Sequence, residues 1–98
     1  MAEKAVLIAT GLVNPNEMEA FEYYTSHAAV LLKGAGGQAI GRYKVTQNLV
    51  GEEPLSAVLV MEFPDDPSIT RVFESEEYKK LIPFRDKAFK KIDIYIAH

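Results

Sequence analysis

The chain contains no cysteine and no tryptophan among its 98 residues. That excludes disulfides, thiolate metal ligands and thiol nucleophiles, and makes the cytoplasm the ordinary setting. No apolar run approaches the ~18 residues that span a bilayer. Met1-Ala2-Glu3-Lys4 ahead of a broken apolar stretch also lacks the pattern of a signal peptide. Basic charge is scarce: 11 Lys and Arg stand against 14 Asp and Glu, a net charge of −3. With no basic stripe, nucleic acid and anionic lipid are not expected partners. No repeat, linker or low-complexity tract divides residues 1–98, so a single domain is expected.

What is present is ordinary for a globular fold, 48% apolar and 26% charged. Lys4 to Val13 is short, rich in β-branched residues and apolar on both parities, the pattern of a strand covered on both faces. Asn14, Pro15 and Glu17 fall at the spacing of a helix cap, a first-position proline and a capping box. Met18, Phe21, Tyr24 or Thr25, Ala28 and Leu31 or Leu32 then form one helical stripe, with Gly34 as a stop. Gln38 to Val45 and Leu55 to Phe63 read as strands joined by a polar connection over Thr46 to Pro54. Asp66-Pro67 opens a helical turn, and Ser75 caps another helix with Glu76 and Glu77 in its first turn. Pro83 predicts a break before Phe84 to Ala88. Lys90 to Ala97 alternates as a final strand.

The order β-α-β-β-α-β, its second helix broken, predicts an α+β, ferredoxin-like fold: a four-stranded antiparallel sheet with the helices on one face. Its strands carry apolar residues on both faces. Val6, Ile8 and Leu12 oppose Ala5, Leu7, Ala9 and Val13, while Val58 and Val60 oppose Ala57, Leu59, Met61 and Phe63. One face has no helix to cover it, and such a face invites a partner. A homodimer, sheet against sheet, is the expectation.

Gly36-Gly37, Arg42, Gly51, Val60-Met61-Glu62-Phe63-Pro64, Ser75-Glu76-Glu77-Tyr78 and Arg85 together form a recognisable pattern. It resembles domain-of-unknown-function family 1330, in the dimeric α/β-barrel superfamily. The spacing from Tyr78 to Arg85, the proline at position 83 and the aromatic pair Phe21 and Tyr24 match that family. Glu76 stands where it usually has proline, Val72-Phe73 where it has Trp-Tyr, and its usual glycine near the C-terminus is missing. The resemblance implies a dimer and a cavity between helices and sheet, as in cofactor-free monooxygenases and ligand-sensing domains of similar shape. It brings no established reaction.

The candidate pocket residues are Arg42, Glu62 and Tyr24, with His27, Tyr78 and Arg85 behind them. Arg42, in an apolar strand, and Arg85, at a helix break, can each fork onto a ligand carboxylate or phosphate, or pair with Glu62, Glu77 or Glu22. Glu62 ends an apolar strand, where partial burial would raise its pKa towards that of a general base; a solvated strand end is the plainer reading. His27 shares a helix face with Tyr23 or Tyr24 and serves as a proton shuttle, as a haem-type ligand or, the plainer reading, as a surface or interface residue. Ser75 to Tyr78 reads as a helix cap, since a serine nucleophile needs a base that the sequence does not place. Gly34 to Gly37 follows a helix and precedes a strand, the reverse of a phosphate loop. No metal-ligand spacing and no cofactor motif occurs, and none is expected to be bound. The expected function is therefore a small-molecule pocket, either for cofactor-free proton-transfer or oxygenase-type chemistry or for non-catalytic binding or sensing.

Overall fold

Alternating polarity and β-branched side chains give four strands, and their pairing decides which side chains share a face. In a computed structural model, which describes residues 4–52 and 54–98, the strands are β1 (Ala5–Val13), β2 (Gln38–Lys44), β3 (Ala57–Phe63) and β4 (Phe89–Ala97). The helices are α1 (Met18–Gly34), α2 (Asp66–Glu74), α3 (Glu76–Lys79) and α4 (Ile82–Ala88). Met1 to Glu3, and Glu53 within the predicted connection, lie outside the described residues. The sheet runs β2-β3-β1-β4 with every neighbouring pair antiparallel, the ferredoxin-like arrangement that the element order predicts.

Residues directly opposite in an antiparallel pair share a face. Leu7 faces Met61 and Ala9 faces Leu59, and these odd positions of β1 and β3 lie under the helices. Ala5, Leu7, Met61 and Phe63 are buried there with Tyr24, Leu32, Ile69, Tyr78 and Leu81. Ile8 opposes Val60 and Tyr95, and Thr10 opposes Val58, on the face without helices. The two-sided apolar pattern of β1 and β3 is thus real, with one side packed.

The strands start or stop within one or two residues of expectation and α4 begins ahead of Pro83, at Ile82; three further boundaries differ for identifiable reasons. Asn14 does not cap α1: its Oδ1 accepts from the Asn16 N–H at 3.1 Å, closing a turn, and the helix begins at Met18. The left-handed residue after α1 is Gly36, at φ 97°, not Gly34, and the N–H of Gly37 closes the end on the Leu32 carbonyl at 3.0 Å. Gly37 has no room for a side chain, because a Cβ there would sit 2.6 Å from the Phe63 ring. The third difference is α2, capped by Asp65 rather than Asp66. Its Oδ1 accepts from the Ser68 N–H at 2.9 Å and the Ser68 hydroxyl at 2.6 Å, which holds that carboxyl below the usual range.

Ser75 caps α3 as its sequence context predicts, accepting from the Tyr78 N–H at 3.2 Å. The break falls between α3 and α4, and Pro83 occupies the second position of α4, where its missing N–H costs no helical bond. Among the described residues no helix is long and apolar enough to cross a membrane.

Candidate ligand cavity

Residue size creates the site. Ala9, Gly11, Ala39 and Ala57 on the sheet face Ala28 and Ala29 on α1, so neither wall fills the space between them. The larger Phe21, Leu32, Phe73 and Phe89 close its margins. The result is a cavity of about 340 Å³ between α1 and the sheet. That falls within the range of small-molecule sites, roughly 300–1,000 Å³. The helix is held over it by an aromatic stack on its outer side, where Tyr23 lies 4.1 Å from Phe84, ring centre to ring centre.

Two polar features interrupt the apolar lining. The inner one is a pair of buried phenols: the hydroxyls of Tyr24 and Tyr78 are 2.7 Å apart, and the residues are 6% and 2% exposed. Burial first, then the hydrogen bond with Tyr78, pushes the Tyr24 phenol above its ordinary pKa, so it stays protonated at any physiological pH. Arg85 approaches from behind. Its Nη1 donates to the Tyr78 hydroxyl at 3.3 Å, and the guanidinium lies 5.9 Å from the centre of that ring. The seven-residue interval from Tyr78 to Arg85 is what carries the guanidinium across the α3–α4 break onto the phenol.

The outer feature is a cationic rim. Arg42 pairs across the ladder with Leu59, and Lys44 with Ala57, so both lie on the helix-covered side of β2. With Lys33 they border the cavity, all three solvent-exposed. Among the described residues none of the three makes an ion pair. Three cations with no ion pair among the described residues, all bordering one cavity, stand out on a chain of net charge −3.

Of the six residues predicted from sequence, the structure brings Tyr24, Tyr78 and Arg42 to the cavity and sets Arg85 behind Tyr78. Glu62 is elsewhere. It pairs with Val6 in the ladder, on the face opposite the cavity, and its Oε1 meets Lys4 Nζ at 3.1 Å. His27 is also outside: it stacks on Tyr23 at 4.0 Å, and its Nδ1 lies 2.8 Å from the Tyr23 carbonyl oxygen. Parity accounts for Glu62, because it shares its side of β3 with Val58 and Val60. Lys33 and Lys44 were missed in the sequence although a signal existed, since Lys44 follows Arg42 by two residues on a strand. Among the described residues no group of three His, Asp or Glu is placed to hold a metal ion.

A single antiparallel sheet, helices on one face and a cavity beneath them define the ferredoxin-like fold of the dimeric α/β-barrel proteins. The chain belongs to the DUF1330 family, a domain of unknown function, whose model matches residues 4–98. Among solved structures it is similar to RPA0582 of Rhodopseudomonas palustris, a protein of unknown function, at TM-score 0.84 and 14% identity, over 99% of this chain and 82% of that one. It is similar to an EthD family protein of Bacillus halodurans at TM-score 0.65 and 21% identity, over 98% of both chains. It also resembles SnoaB, a cofactor-independent oxygenase of Streptomyces nogalater, at TM-score 0.70 and 10% identity, over 99% of this chain and 93% of that one. At these identities the likeness is one of fold. No curated protein matches the chain.

Proposed function

We propose that this protein binds a small, mainly apolar, anionic molecule, one per chain, with its body in the cavity and its charge at the rim of Lys33, Arg42 and Lys44. The observation that carries this reading is an apolar space of about 340 Å³ bordered by three cations, on α1 and β2, that have no ion pair among the described residues. An apolar cavity of roughly 150 Å³ takes benzene, so this one has room for two fused rings. An arginine at its mouth can meet a carboxylate with two parallel hydrogen bonds.

Cofactor-free proton-transfer or oxygen chemistry on the bound molecule is the catalytic form of the same reading, and the fold likeness to SnoaB supports it. The lining supplies phenols and cations, which stabilise negative charge on an oxygen. Among the described residues it includes no carboxylate or imidazole. The cavity thus suits a binder, or an enzyme whose substrate brings its own charge. We further propose that two copies associate through the uncovered sheet face.

Calorimetric titration with 1-naphthoate tests the binding. The native protein should take up one molecule per chain, and Arg42→Ala with Lys44→Ala should weaken binding about tenfold without lowering the melting temperature. No uptake by the native protein, or equal affinity in the variant, overturns the assignment.

A further inference from the structure

A hydrogen count at the buried phenols shows what the inner end of the cavity demands of its occupant. Arg85 can only donate, so the 3.3 Å bond from its Nη1 uses the Tyr78 oxygen as acceptor. The 2.7 Å bond between the two phenols uses one hydroxyl hydrogen, whichever ring supplies it. Two hydroxyls bring two hydrogens, and among the described residues no hydrogen bond uses the second; the Asp86 carboxylate, which acts on Tyr24 through space, is paired with Arg85 instead. Both rings border the cavity. A buried donor without an acceptor is costly, about 1–3 kcal/mol, and the cavity is the place from which an acceptor can come.

We infer that the Tyr24–Tyr78 pair is a hydrogen-bond donor site for a neutral or anionic oxygen of the ligand, a ketone, quinone or phenolate oxygen, seated at the inner end of the cavity. This rests on the proposed binding function and adds a second recognition point to it. Arg85 acts through Tyr78 as a positioning residue: its fixed charge polarises the pair towards donation and prevents either phenol from turning a hydrogen towards it. The ligand class is accordingly a small ring system with an oxygen acceptor at one end and negative charge at the other. An ammonium in the acceptor's place, which can only donate, would leave the pair's spare hydrogen unmatched.

The decisive comparison uses 1-tetralone and tetralin, which have the same ring skeleton with and without a carbonyl. Replacing both phenols, Tyr24→Phe with Tyr78→Phe, removes both donors and keeps the shape; neither phenol is stranded, and the Arg85 N–H that loses its acceptor belongs to a side chain 25% exposed, within reach of water. Affinities are measured calorimetrically for both probes with both proteins, and the quantity read is the tetralone-to-tetralin ratio. General loosening of the core lowers both affinities and leaves that ratio alone. The ratio should fall about three- to tenfold in the double variant, the worth of one buried hydrogen bond. Arg85→Met should lower it part of the way. An unchanged ratio in the double variant, with both probes bound, overturns the donor site and leaves the binding function standing. Binding of 1-tetralone but not tetralin by the native protein, lost in the double variant, supports the donor site, whereas failure of both probes to bind the native protein overturns the cavity reading, and this inference with it.

Discussion

Tyr24 joins stability and the proposed ligand site in one side chain. Its pKa in the folded protein is raised above the unfolded value of 10.0, chiefly by burial. A phenol raised in this way contributes stability that is fully present below the unfolded value and is lost as pH rises through the folded one. The protein should therefore lose stability progressively above about pH 10. In urea unfolding at pH 8 and pH 11, Tyr24→Phe should show a smaller loss than the native chain. An identical loss in both would assign the alkaline transition to other groups. The individual site residues were unevenly legible in the sequence. Arg42 stood out as a charge in an apolar strand, and the Tyr78–Arg85 spacing was visible in the chain. The meeting of Tyr24 with Tyr78 was not, because 54 residues separate them and only the packing of α1 over the sheet brings the hydroxyls together.

Helix ends show how far local signals reach. Ser75 and Asn14 carry similar capping credentials in the sequence, yet only Ser75 accepts a helical N–H. Its hydroxyl is used twice, since it also donates to the Val72 carbonyl at 2.6 Å and so ties the end of α2 to the start of α3. Ser75→Ala should cost about 1 kcal/mol, within the usual range for a lost N-cap, whereas Asn14→Ala should cost less because a turn, not a helix, depends on it. Equilibrium urea denaturation of the two variants makes the comparison, and equal losses would remove the distinction. Strand parity was the most legible property of the chain, because a two-residue period assigns a side chain to a face without knowledge of the neighbouring strand. Parity also held the information that Glu62 sits with Val58 and Val60, away from the helices. Loop and cap residues were less legible: the same Asn-Pro signal serves a turn or a helix start, and tertiary contacts choose between them.

At the scale of the whole molecule the protein is a slab only 17 Å thick, the depth of one helix layer on one sheet. Its helix-free face carries Val6, Ile8, Val58 and Val60 in the middle, with Tyr43 and Tyr95 toward the edges at 59% and 53% exposed. Completing the burial of an aliphatic side chain contributes up to about 1.5–3 kcal/mol, and this face has four, so a second copy gains substantially by covering it. The two faces of β3 separate pairing from folding. Val60→Asp places a charge on the uncovered face, where it costs little in a lone subunit and much against an apolar partner. Light scattering should show the native protein at twice the chain mass and Val60→Asp at the chain mass, with far-ultraviolet dichroism retained. Leu59→Asp is the contrasting variant, since Leu59 lines the cavity and packs against the buried core. It should lower the melting temperature and abolish 1-naphthoate uptake whatever happens to association. A native protein that scatters as a single chain at micromolar concentration would mean that the exposed face is tolerated in water. The pairing would then fall, while the cavity under α1, built wholly within one chain, would keep its claim to a ligand.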